Sequence, residues 1–244
     1  MIKEVEELKA EIKRLKQENE LKTGWISLLS HDFKEIFGNI MWLTEGIENE
    51  SISKEDYFKL LPRITQDAKK SLQTVNDTST WLKTQMNNFE PQSIALVAQD
   101  LFFQLKETFE VELKAKEIDL LYKGDESVTF KNDPFLVFFI LKKLVNNAIK
   151  FSDSGKRIHF EIDRKNEDVV LSIVDYGMGM NLETKKSLFS FEGPIFQGTN
   201  GEVGAGLSLK IVRKFVSLMQ GEIEVVSTEN VGTKISIMLP DKTK

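Results

Sequence analysis

One apolar register runs in phase through the whole N-terminal stretch of the chain. Val5, Leu8, Ile12 and Leu15 recur at spacings of three and four, the seam of a coiled coil. Carried forward, the same count reaches Ile26, Leu29, Phe33, Ile36, Ile40, Leu43 and Ile47, and only Asn19 and Lys22 interrupt it with polar side chains. Residues 1–22 contain neither Pro nor Gly and are densely charged. The register predicts one continuous helix from about Val5 to Ile47, nearly straight, with Gly24 and Gly38 as its weak points. A polar residue on a seam costs stability but fixes register and oligomer state.

The register also places His31, one of two histidines in the chain. With Leu29 at d and Phe33 at a, His31 falls at f, the position furthest from the seam. Phase disfavours a core histidine and leaves two readings open, a solvated surface residue or an exposed functional one. After a turn at "ENESISKED", a second helix is expected from about Ser53 to Phe89, with Leu61, Ile64, Ala68, Leu72, Val75, Leu82 and Met86 as its apolar side. Two antiparallel helices with one stripe each do not close a core, so a dimeric four-helix bundle is the expected solution. Pro91 marks its end.

From Ser93 the pattern changes. A helix to about Lys116, a strand "EIDLLYK", a helix over 135–150 and strands "RIHFEIDR" and "DVVLSIVDY" come first. A Gly-rich region, a helix over 206–219 and a closing hairpin of "GEIEVVST" and "GTKISIMLP" follow. Mostly antiparallel strands with helices gathered on one side give an α+β two-layer sandwich. The expected organisation is a coiled-coil linker over 1–24, a helical hairpin over 25–90 and the α+β domain over 91–244. His159 alternates with Ile158 and Phe160 on a strand and is expected to face solvent, without a role.

Bulk properties narrow the class. The 244 residues carry a net charge of −5, which argues against a nucleic-acid partner, since that needs a basic stripe. The absence of cysteine excludes disulfides and thiolate zinc sites and suits a cytoplasmic location. No apolar run reaches the ~20 residues that span a bilayer, and the charged first residues are no signal peptide. No membrane segment is expected in this chain, although it fits the soluble part of a larger receptor.

Three groups in the second domain suggest a nucleotide site. "LVNNAIKFS" puts Asn147 and Lys150 on one helix face. "VDYGMGM" puts Asp175 at the end of an apolar strand, followed by Gly177 and Gly179. "GEVGAGLSLKIV" puts Gly201, Gly204 and Gly206 directly before a helix, where free backbone N–H groups favour phosphate. Singly, each is more readily a packing Asn, a turn or a routine helix start. Their order and spacing together point to nucleotide.

At these residues the chain resembles a sensor histidine kinase of two-component signalling. "SHDFKEIF" is similar to the phospho-acceptor H-box, "LKKLVNNAIKFS" to the N-box, "VDYGMGM" to the G1 box, "LFSF" to the F-box and "GAGLSL" to the G2 box. The resemblance covers roughly residues 25–240. It implies a homodimeric hairpin for dimerisation and histidine phosphotransfer, followed by a Bergerat ATPase fold shared with gyrase, Hsp90 and MutL. It implies ATP and Mg²⁺ as cofactors and a response-regulator receiver domain as partner. His31 would be the phosphorylated nucleophile, with Asp32 holding one ring N–H. Asp175 would accept from the adenine amino group, Gly177 and Gly179 would let backbone approach the base, and Phe151 would pack on it. Asn147 would ligate Mg²⁺ and Lys150 would neutralise phosphate charge. Residues Leu188 to Val203 would form a lid hinged at Gly204 and Gly206, with Leu207 also in the nucleotide site and Thr233 near the adenine.

Three positions depart from the family. Ile36 stands where a helix-kinking Pro is usual, Lys143 where many relatives carry Asn, and the stretch "SFEGPIFQGTNGEVG" has no Lys or Arg. Lys143 shares a helix face with Asn147 and Lys150, so it is a candidate for the missing positive charge. The competing function is a degenerate kinase that serves as a dimeric scaffold with weak nucleotide binding. A self-contained ATPase of the same superfamily is disfavoured, because Lys143 occupies the place of its water-activating Glu.

Overall fold

The computed structural model describes residues 2–85, 89–189, 198–199 and 208–241, and the chain divides into two compact units, Met1–Asn87 and Asn88–Lys244. Unit 1 is a helical hairpin. Helix α1 runs without interruption over Ile2–Glu48, through Gly24 and Gly38, as the common phase of the register predicts. Helix α2 covers Lys54–Gln85. Ser53 starts α2: its Oγ accepts from the Asp56 amide at 3.1 Å and donates to the Asp56 carboxylate at 2.7 Å. Pro62 is accommodated inside α2, where it has no N–H to give to the preceding turn.

The two helices meet along the predicted seam of α1 and along a face of α2 that the apolar count does not predict. From α1, Ile36 and Leu43 are buried. From α2, Ser71, Thr74, Thr78 and Trp81 are buried, at spacings of three and four. The Thr78 hydroxyl donates to the Thr74 carbonyl at 2.7 Å, so this small polar face enters the contact with its hydroxyl satisfied. Of the expected stripe of α2, Leu61, Leu72 and Leu82 stay exposed in the single chain, Ile64 and Val75 are half-buried, and Met86 lies outside the described residues. Phe33, Ile40 and the seam residues Val5 to Leu15 are exposed too.

Unit 2 opens with a short antiparallel pair, β1 (Ile94–Val97) with β3 (Thr129–Asn132). Helices α3 (Ala98–Thr108) and α4 (Glu110–Ala115) replace the single expected helix. The main sheet has five strands in the order β2-β4-β5-β7-β6. They are β2 (Asp119–Lys123), β4 (Arg157–Lys165), β5 (Asp168–Asp175), β6 (Glu222–Thr228) and β7 (Gly232–Pro240). All neighbours are antiparallel except β2 and β4, which run parallel because α5 (Pro134–Phe151) crosses between them. A short α6 (Leu182–Ser187) follows β5, and α7 (Ser208–Leu218) precedes β6.

The helices gather on one face of the sheet. Ile158, Phe160 and Ile162 of β4, Val169, Leu171 and Ile173 of β5, and Ile235, Ile237 and Leu239 of β7 alternate into the core. They meet Val137, Ile140, Leu141 and Leu144 of α5 and Ile211, Val212 and Phe215 of α7, all buried. Helix α5 is fixed at its start by Asp133, whose Oδ1 accepts from the Leu136 amide at 2.9 Å, with Pro134 as first helical residue. The N-terminal helical hairpin and the two-layer α+β sandwich agree with those two parts of the fold class read from the sequence.

Candidate nucleotide site

Asp175 is placed by strand periodicity. Val169, Leu171 and Ile173 point into the core, and two residues on the same face carries a carboxylate, 8% exposed. Its Oδ1 accepts from the Gly177 amide at 3.0 Å and from the Thr233 amide at 3.2 Å. Among the described residues no donor reaches Oδ2. Burial raises the Asp175 pKa from its ordinary 3.8 to about 6, against the lowering effect of those two amides. A buried acceptor with unused lone pairs is costly unless a ligand donates to it.

The carboxylate opens on a cleft of about 220 Å³. One wall is the α5 face of Leu144, Asn147, Ala148 and Phe151, spaced as a helical stripe requires. The floor is Ile173 and Ile235, and Gly179 and Thr233 close the far side. The cleft therefore has apolar walls and a few convergent polar groups, the character of a site for a flat, partly apolar ligand.

Two glycines make the loop after β5 possible. A Cβ on Gly177 would overlap the Phe151 carbonyl oxygen, so the loop lies directly against the end of α5. Gly179 has φ +61°, and a Cβ there would overlap the Thr228 carbonyl. The Met178 amide donates to the Phe151 carbonyl at 3.0 Å, tying the two walls together.

Of the residues singled out in the sequence, Asn147, Phe151, Asp175, Gly179 and Thr233 line one cleft, and Gly177 braces it from behind. Lys150 and Lys143 do not line it. The Lys150 ammonium sits 4.7 Å from the Phe151 ring centroid, and Lys143 is buried with its ammonium 5.3 Å from the Phe139 ring. Gly201, Gly204, Gly206, Leu207 and most of the expected lid lie outside the described residues. So do the side chains of His31, Asp32 and Glu35, whose backbone is within α1. His159 is half-buried, and its Nδ1 lies 3.2 Å from the Tyr176 hydroxyl.

Several residues of the cleft fall outside the motifs singled out in the sequence. Asn181, Thr184, Glu229 and Asn230 line it as well. Asn181 caps α6 by accepting from the Thr184 amide at 2.9 Å, and an Asn followed three residues later by a polar residue was a legible helix start. Among the described residues no cluster of three or more His, Cys, Asp or Glu side chains forms a metal site.

Comparison with known proteins agrees with this geometry. Residues 132–243 match the profile of the histidine kinase-, DNA gyrase B- and HSP90-like ATPase family. The sensor histidine kinase YclK of Bacillus subtilis is 26% identical over 242 residues, covering 98% of this chain and 50% of YclK. The histidine protein kinase SaeS of Staphylococcus aureus is 26% identical over 241 residues, covering 96% of this chain and 68% of SaeS. The chain thus spans about half the length of YclK. Among solved structures, histidine kinase ThkA in complex with response regulator protein TrrA superposes with TM-score 0.70 at 18% identity, covering 94% of this chain and 64% of that one. Histidine kinase AdeS of Acinetobacter baumannii gives TM-score 0.66 at 18% identity, covering 87% and 98%. Unit 2 thus contains a domain that matches this ATPase profile, and the chain as a whole resembles sensor histidine kinases. Such a domain implies the capacity to bind ATP with Mg²⁺.

Proposed function

We propose that this chain is the kinase core of a two-component sensor, an ATP-dependent protein-histidine kinase that phosphorylates its own His31. The observation that carries the reading is the Asp175 carboxylate, buried at the cleft wall with no donor to Oδ2 among the described residues. The 6-amino group of adenine supplies that donor, and Phe151 and the Ile173–Ile235 floor accept its ring faces. Asn147 offers a carboxamide oxygen, a hard ligand suited to Mg²⁺ held jointly with phosphate. Lys150, Gly204, Gly206 and Leu207 complete the phosphate end of this reading.

Mg²⁺ bound with ATP offsets charge on the transferring group. A ring nitrogen of His31 attacks the γ-phosphorus, the bond to the β–γ bridging oxygen breaks, and ADP leaves. Asp32 holds the other ring N–H, so the attacking nitrogen keeps its lone pair. The f position of His31 supports access both for the catalytic domain and for a later acceptor. That acceptor is the aspartate of a response-regulator receiver domain, by analogy with the regulator-bound ThkA. Residues 25–90 are the dimerisation and phosphotransfer part and 91–244 the catalytic part. The exposed Leu72, Leu82, Phe33 and Ile40 support a homodimer, because a second copy would cover them. No described helix is long and apolar enough to cross a membrane. A cytoplasmic site of action follows from the need for ATP.

The base contact is tested with inosine triphosphate, which carries a carbonyl where ATP carries the amino group. ATP should bind roughly ten- to a hundredfold more tightly, the worth of a hydrogen bond to a charged group. Equal affinity for both nucleotides would overturn the role of Asp175.

A further inference from the structure

Lys116 lies outside every sequence motif, at the turn between α4 and β2, yet its side chain is 5% exposed. Its ammonium donates to the Ile149 carbonyl at 2.9 Å and lies 3.2 Å from that of Lys150 and 3.3 Å from that of Ser152. These are the carbonyls at the end of α5, which its own helix leaves without N–H partners. A cation placed at this end also meets the negative pole of the helix.

The same ammonium donates to Thr199 Oγ1 at 2.9 Å. Thr199 is tied to the helix end twice more: its amide donates to the Lys150 carbonyl at 3.0 Å, and its hydroxyl to the Ser152 carbonyl at 2.8 Å. Between the carbonyls held by Lys116 sits Phe151, whose own carbonyl receives the Met178 amide and packs on Gly177. Gly177 in turn donates to Asp175. A continuous chain of contacts thus runs from Lys116 and Thr199, through the last turn of α5, to the acceptor in the cleft.

We propose that Lys116 and Thr199 are positioning residues of the nucleotide site, a latch that fixes the end of α5 against the loop presenting Asp175. The proposal rests on the nucleotide reading of the cleft. Neither residue touches the ligand. Their effect reaches it through the placement of Phe151 and Gly177, so the latch governs discrimination at the base rather than folding alone.

The test uses the whole chain, with ATP and inosine triphosphate as probes at a temperature where every variant is folded. Thr199→Val keeps the shape of the side chain and removes its hydroxyl contacts to Lys116, Ser152 and Lys150. It should weaken ATP binding by roughly tenfold and shrink the preference for ATP over inosine triphosphate. Thr199→Ser should restore both. Lys116→Met should act in the same direction, and Lys116→Met combined with Thr199→Val should cost no more than the stronger single change, because the two share one network. A Thr199→Val protein with wild-type ATP affinity and preference would overturn the latch while leaving the nucleotide site standing. A wild-type chain that binds neither nucleotide would overturn the site and the latch's role in it together.

Discussion

Thr233 and Asp175 are register partners across β5 and β7, and the Thr233 amide donates to Asp175 Oδ1 at 3.2 Å. The bond turns one oxygen of the carboxylate toward the sheet and leaves the other for the cleft. The Gly177 amide donates to the same oxygen at 3.0 Å, so strand pairing and the loop after β5 together orient the carboxylate.

The raised pKa of Asp175 makes nucleotide affinity pH-dependent. Only the ionised carboxylate offers both Oδ2 lone pairs to an amino group. ATP affinity should be flat above about pH 7 and fall as pH drops through about 6, approaching tenfold per unit below it. Titration calorimetry from pH 5 to 8 measures this, once corrected for protonation of the nucleotide phosphates.

Replacing this carboxylate separates stability from binding. A carboxyl whose folded pKa lies above its unfolded value contributes stability that is complete below the unfolded value and lost as pH rises through the folded one. The window runs from about pH 4 to 6, and the penalty on the ligand-free protein at neutral pH is about 3 kcal/mol. Asp175→Asn should raise the stability of the ligand-free protein at pH 7, since an amide oxygen still accepts from Gly177 and Thr233. It should also weaken ATP binding at least tenfold, because the amide presents a donor beside the adenine amino group. Denaturant melts read beside binding isotherms would show the two effects together.

Gly38 lies at the same heptad position as His31, one repeat later, and a Cβ there would meet nothing within 4 Å. Gly38→Ala should therefore stabilise the hairpin by roughly 0.5–1 kcal/mol. Loss of stability in a thermal melt would mean that another surface covers this face of α1.

Glu35, one turn beyond His31, stands where related H-boxes commonly carry Thr or Asn to orient a water on the regulator's aspartyl-phosphate. A carboxylate there repels an incoming phosphoryl group, and like charges in a closed interface cost several kcal/mol. The protein should be biased toward kinase action, leaving decay of the phosphorylated regulator no more than about twofold faster than the regulator alone. Rapid decay in the presence of ADP-bound protein, slowed by Glu35→Ala, would reverse the sign.

The parts of the fold that were legible in the sequence are those written in period. The α1 register, the alternation along β4, β5 and β7, and the stripe of α5 all identify their elements, and the last two locate Asn147, Phe151 and Asp175. The β1–β3 pair escaped because each strand has four residues and too few alternations to register. The polar face of α2 escaped because Ser71, Thr74 and Thr78 enter a helix contact on size and local hydroxyl bonding rather than hydropathy. Lys116 escaped for a different reason. Its partners are 33 to 83 residues away in sequence, and a lysine in a charged stretch gives no sign that it ends buried beneath a helix.

The central claim is that ATP bound at the Asp175 cleft phosphorylates His31. It is tested most directly by incubating the whole chain with γ-labelled ATP and Mg²⁺, then treating the product with acid. Label that is acid-labile and alkali-stable, absent from His31→Gln although that variant still binds ATP, and strongly reduced in Asp175→Asn, is the predicted result. Label retained by His31→Gln, or a wild-type chain that binds ATP yet takes up no label, would contradict it.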